Sequence, residues 1–373
     1  MPGFLAVAAG KFILGKERAM REQHRNKNFI QAGKGILQVL AVLFLLGALV
    51  KLCNFLVVDD ADSYTRLTLH ELYTCQEPVE TIFLGSSHCF RAYDPTLYQE
   101  LTGESTLNLG SSSQNYDTSY YLLREAVSCQ PVKTLYLDMY WAFLYSQRDG
   151  RDLVQANIIS DYMRPSLNKL DFVLHMSSSE HYTNTVFPFR RNWRLLGDLS
   201  YIRENVRKKQ TEAYRAYEPV INEEEYYGGR GFVYSTTELK PEEITWWEKF
   251  GKIDLSGDDT FICSYLDRIA ALCQEQGIEL IFVTAPSYYQ YLDVVGPYDP
   301  AHERILELAE KYGVPYLDFN LCKEEYLGLS AADYMDVDHL NGAGAEKLTK
   351  TLAELRNDPS LIDEYFVSCY DVR

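Results

Sequence analysis

Five short apolar runs, each rich in β-branched or aromatic residues and each closed by a turn residue, restrict this chain more than any other feature. Thr81–Leu84 (TIFL) ends at Gly85 and Thr106–Leu109 (TLNL) at Gly110. Lys133–Leu137 (KTLYL) ends at Asp138, Ile278–Thr284 (IELIFVT) at Ala285–Pro286, and Val314–Leu317 (VPYL) at Asp318. Continuous apolar runs of this length read as strands buried on both faces, as in a parallel sheet. Helical patterns lie between them. Tyr116–Val127 is one. Thr260–Gln276 places Phe261, Tyr265, Ile269 and Leu272 on one face and stops at Gly277. Ala301–Tyr312 and Ala343–Leu355 complete the series. The alternation predicts an α/β fold, a doubly wound, flavodoxin-like parallel sheet with helices on both faces.

Ahead of this pattern stands a segment of another kind. Gly35–Val50 contains no charge, and after Lys51 the apolar run continues to Val58. A helix over 35–58 would be roughly 36 Å long, enough to cross a bilayer, with Lys51 able to snorkel to the interface. Residues 1–58 carry eight Lys or Arg and two Glu, a net +6, so the remainder of a chain of net charge −17 carries −23. Seven of those basic residues precede the run, and Asp59, Asp60 and Asp62 follow it. The positive-inside rule then predicts a cytoplasmic basic tail (1–34), one transmembrane helix (35–58) in the cell membrane, and an extracellular domain (59–373). A buried core helix and a cleaved signal peptide are the alternatives, but no small-x-small cleavage site follows the run. The acidic body argues against nucleic acid as a partner.

Residues 139–255 interrupt the strand–helix rhythm and read as an insertion after the third strand. They are rich in Tyr, Trp and Arg. Leaving the sheet at its carboxyl edge, the insertion is expected to wall the substrate cleft, with Trp193, Tyr226, Tyr227 and Phe232 as stacking faces and Arg190, Arg191 and Arg194 for anionic groups. The eight cysteines form no CxxC pair and no cluster with His, so neither a metal nor a cofactor is implied.

Open α/β sheets bind ligands outside the carboxyl ends of their strands. Three segments there carry chemistry. Gly85-Ser86-Ser87-His88 is a sharp turn that can project a serine. Gly110-Ser111-Ser112-Ser113 is a turn whose backbone N–H can face the same crevice. Asp336-Val337-Asp338-His339 sets a carboxylate and an imidazole three residues apart just before the last helix. Asp336 on Nδ1 of His339 fixes the tautomer and leaves Nε2 to take a proton from serine. His88 reads either as a second base or as a polar packing residue.

In this order, the three segments resemble the blocks of the SGNH (GDSL-like) hydrolase superfamily over about residues 79–138 and 278–355. The resemblance implies Ser87 as nucleophile, with Ser86 in place of the usual aspartate. It also implies oxyanion donors on Ser87 and Gly110, and Asp336 and His339 as the last block. The family's Gly-x-Asn-Asp block is not found. Its asparagine would supply an oxyanion donor worth about 10²–10³ in rate. Gln114, Asn115 or the Tyr140 hydroxyl are the candidate replacements, and Asp138 is a poor donor unless protonated. The variant first block, the membrane helix and the missing asparagine are similar to extracytoplasmic members of bacterial envelopes, such as DltD of lipoteichoic-acid D-alanylation and the alginate O-acetylation proteins. The resemblance implies a serine esterase or O-acyltransferase acting on acyl esters of a cell-envelope glycopolymer. The alternative is a degenerate hydrolase fold serving as partner to a membrane acyltransferase.

Overall fold

The computed structural model describes residues 31, 33–144, 153–219, 224–240, 242 and 257–370. The basic tail, apart from residues 31, 33 and 34, and several stretches of the insertion lie outside them. Five parallel strands form the central sheet: β1 (Thr81–Leu84), β2 (Thr106–Asn108), β3 (Thr134–Asp138), β6 (Glu279–Thr284) and β7 (Tyr316–Asp318), in the order β2-β1-β3-β6-β7. Each of the five apolar runs supplies one strand, and β1 and β3 are buried throughout. Pairing of Phe83 with both Asn108 and Tyr136 aligns the carboxyl ends of β1, β2 and β3.

The order reverses at β1. The chain leaves β1 toward β2 at one edge, then crosses back over β1 to β3. Right-handed crossovers are the rule between parallel strands, and from this strand order they put the two connecting helices on opposite faces. The Pro95–Thr102 and Gly342–Asn357 helices pack together, as do the Tyr116–Val127 and Thr260–Gln276 helices. The loops after β1 and β3 therefore part and leave a crevice between them. Between the helix layers, Phe83 stacks on Tyr93 and Tyr136 at centroid distances of 5.0 and 4.8 Å. Burying each such ring stabilises the fold by about 1.5–3 kcal/mol.

The insertion contributes short helices and an antiparallel hairpin, β4 (Glu225–Gly229) and β5 (Phe232–Ser235). The hairpin tip covers the free edge of β2: Asn108 N–H donates to Arg230 O at 2.8 Å. Gly231, at φ +85°, approaches so closely that a Cβ would stand 1.8 Å from Asn108 O. An uncovered strand edge is a template for aggregation, and here the insertion closes it. The apolar segment forms one helix, Gly33–Val57, 25 residues long and apolar enough to cross a membrane.

Candidate active site

Gly85 lets the chain turn at the end of β1. A Cβ there would lie 2.5 Å from Asp138 Cβ and 2.8 Å from Cys89 Cβ, so no other residue fits without displacing β3. Ser86 then caps the Ser87–Ala92 helix, its hydroxyl accepting from His88 N–H at 3.3 Å. Ser86 is thereby a capping residue, and Ser87 opens the helix, where a backbone N–H has no intrahelical acceptor and the dipole favours negative charge.

On the other side of the crevice, the 334–341 loop is tied at both ends. Tyr334 bridges Leu340, and Asn341 caps the last helix through Ala343 and Gly344 N–H groups at 3.0 and 3.1 Å. Within the loop, Asp336 Oδ1 accepts the Asp338 and His339 backbone N–H groups, each at 2.8 Å. Both Asp336 oxygens lie 3.0 Å from His339 Nδ1. Nδ1–H thus faces the carboxylate, and Nε2 stands 2.7 Å from Ser87 Oγ. Burial pushes the Asp336 carboxyl up. The hydrogen bond and charge of His339, with the Asp338 N–H, outweigh it and hold the group below the usual carboxylate range. The structure brings Ser87, His339 and Asp336 together in one hydroxyl–imidazole–carboxylate chain.

Gly110 differs from expectation. Its N–H donates to Asn108 Oδ1 at 2.9 Å. The short turn after β2 folds the amide back on the strand-end side chain, so this donor does not stand free for an oxyanion. Of the three candidate helpers, Gln114 is committed at both ends, accepting from Ser111 Oγ at 2.8 Å and donating to Ser119 Oγ at 3.1 Å. The Tyr140 hydroxyl donates to Asp338 at 2.5 Å. Asn115 is buried, and its Nδ2 has no hydrogen-bond partner among the described residues.

No family model and no curated protein matches the chain. Fourteen solved chains are similar to it, two of them at the following low identities. One is a GDSL-like lipase from Bacteroides thetaiotaomicron, with TM-score 0.37 and 8% identity, covering 80% of this chain and 99% of that one. The other, described as an acylhydrolase, is from Bacteroides fragilis, with TM-score 0.36 and 9% identity, covering 78% and 94%. Likenesses at that level leave the chemistry of this chain to its own topology and geometry.

A second His–Asp pair stands against the first. His88 Nε2 lies 3.1 Å from Asp338 Oδ2, its ring stacks on Tyr140 at 3.8 Å, and its centroid is 4.5 Å from that of His339. Asp338 also accepts from Ser287 Oγ at 2.6 Å. Burial raises its pKa, but His88, His339 and the Ser287 hydroxyl together pull it far below the usual range, so it is a buried anion. The sequence carries a signal for this pair: a His directly follows the serine in the first motif, and a second Asp precedes the His in the last.

Beneath the site, Asp138 ends β3. Burial, countered by the Ala285 N–H and reinforced by the charge of Asp338, pushes its carboxyl up to about 7. Its Oδ2 has no partner among the described residues.

A cavity of about 160 Å³ opens beside Gly110, bordered by Tyr64, Thr68, Phe90, Ser112, Ile158 and Val233. A larger one, about 690 Å³, lies by Tyr288, Tyr289, Lys323 and Tyr370, and neither cavity is lined by Ser87 or His339. Ile158 and Val233 of the insertion border the small cavity, and none of the residues expected to wall the cleft does. Tyr227 and Phe232 are buried, and Tyr226 stacks on Tyr234 at 4.8 Å. Arg191 is bound to Asp161 and, at 3.0 Å, to Asn157. Trp193, Arg190 and Arg194 are exposed and absent from the lining of either cavity.

Proposed function

We propose that the chain is a membrane-anchored serine esterase or O-acyltransferase that acts on acyl esters of cell-envelope glycopolymers from the outer face of the cell membrane. The observation that carries this reading is the 2.7 Å approach of Ser87 Oγ to His339 Nε2, with Asp336 on Nδ1. His339 takes the serine proton as Oγ attacks the ester carbonyl. The Ser87 N–H and the helix start stabilise the oxyanion. As the tetrahedral adduct collapses, the imidazolium returns the proton to the leaving alcohol and an acyl-serine remains. Water then releases the acid, or a sugar hydroxyl takes the acyl group, with His339 again the base.

The apolar helix and the basic-before, acidic-after charge pattern support the anchor and its orientation. The envelope polymer rests on that orientation and on the sequence resemblance. A second reading, a catalytically degenerate partner of a membrane acyltransferase, is favoured by the engagement of the Gly110 N–H with Asn108. Turnover separates the two. The full chain should hydrolyse or transfer the acyl group of a small acetyl ester and of an O-acetylated glycan, and Ser87→Ala should not. A folded wild-type chain inert on both supports the degenerate reading.

A further inference from the structure

The stretch Phe187–Leu199 takes no part in the site, yet it presents Phe187, Trp193, Leu196 and Leu199 to solvent at 37%, 60%, 38% and 77% exposure. Arg190 and Arg194 are exposed among them, with the Arg194 guanidinium 5.9 Å from the Trp193 ring centroid. Phe187–Leu199 holds three arginines and one acid, Asp198, which caps the following helix, on a body that is strongly acidic. Bulky apolar side chains gathered on an outer surface mark a binding face.

Its attachment identifies what it meets. Phe189 N–H donates to Asn54 Oδ1 at 2.8 Å, and the Tyr201 hydroxyl to Val57 O at 3.2 Å. Asn205 Nδ2 reaches the Phe55, Leu56 and Val58 carbonyls at 3.2, 2.9 and 3.2 Å, and the Lys209 ammonium also bonds Val58 O. These are carbonyls at the end of the apolar helix, which lack intrahelical donors, and Lys209 suits the negative end of its dipole. The patch is therefore fastened to one end of that helix. The hydrocarbon core takes about 20 helical residues, so a span starting near Gly33 or Gly35 leaves the membrane close to Asn54. That places Phe189 and its neighbours at headgroup level, where Trp and Arg side chains are favoured.

We propose that the Phe187–Leu199 face beds into the outer leaflet, its aromatic and leucine side chains at the acyl boundary and Arg190 and Arg194 on anionic headgroups. This rests on the reading of the apolar helix as a membrane span. The test uses the full chain in nanodiscs of phosphatidylcholine and phosphatidylglycerol, with and without lipid brominated near the headgroup. The difference in emission between wild type and Trp193→Phe isolates Trp193. Brominated lipid should remove most of that difference signal. An unquenched Trp193 in a chain that has entered the discs overturns the seat, leaves the anchor standing, and points to a protein covering the patch. A chain that stays outside the discs overturns the anchor and the seat together.

Discussion

Ser87 Oγ lies 2.7 Å from His339 Nε2, although 252 residues separate them in the chain. The pair meets because β1 delivers one residue to the switch-point crevice and the loop before the last helix delivers the other. If they act as a unit, removing either should cost nearly as much as removing both. Ser87→Ala and His339→Ala should each lower kcat on an acyl ester by about 10⁴–10⁶, and the double variant should be no worse. Initial-rate kinetics on the three proteins check this. Additive losses would mean that the two residues do not share one step.

Truncating His88 should affect both stability and rate. It supplies one partner to a buried anion that Tyr140 and Ser287 also contact, and removing one hydrogen-bond partner from a buried polar group costs about 1–3 kcal/mol. His88→Ala should unfold at lower denaturant than wild type and lose activity, because its ring also packs against His339. His88→Gln, which keeps an N–H for Asp338, should recover much of the stability. Urea melts of the three proteins report the order.

Asp138 gives a pH dependence of defined sign. Its carboxyl is raised from 3.8 to about 7, so the folded state holds a proton that the unfolded state releases. The contribution is fully present below about pH 4 and is lost as pH rises through 7. Its full size is on the order of 4 kcal/mol. Asp138→Asn keeps the shape without the ionisation, so it should flatten the fall in stability between pH 4 and 7 and be the more stable protein at pH 8. Melts across this range decide it, and parallel curves for the two proteins would refute the assignment. Asp336 acts oppositely: its lowered pKa contributes stability above pH 4 that is lost on further acidification.

Asn115 is the remaining side-chain candidate for the oxyanion. Its Nδ2 is buried without a partner among the described residues, while Gln114 and Tyr140 are engaged elsewhere. Asn115→Ala should lower kcat by about 10²–10³ and leave KM nearly unchanged. An unchanged kcat removes Asn115 from the hole.

The sheet was legible because parallel strands buried on both faces leave uninterrupted apolar runs, and their ends set the switch point. Ser87 with Gly85, and Asp336 with His339, were legible as short-range patterns, since a turn or an Asx contact needs only neighbouring residues. What escaped depends on groups far apart in sequence. His88 meets Asp338 only once β1 and the last loop are assembled. The expectation that Tyr227 and Phe232 face substrate failed because aromatic content does not say which side of a hairpin is buried. Arg191 was similarly out of reach, since its acid, Asp161, lies on another segment of an insertion without clear periodicity. The Gly110 N–H is a local matter, but a glycine in a turn gives no sign of which acceptor its amide finds.

Labelling of the folded full chain with a serine-directed fluorophosphonate, followed by peptide mass spectrometry, tests the central claim most directly. The label should sit on Ser87 alone and vanish in Ser87→Ala and His339→Ala. Labelling on Ser86, or none on a folded wild-type chain, would contradict the assignment of Ser87 as an activated nucleophile.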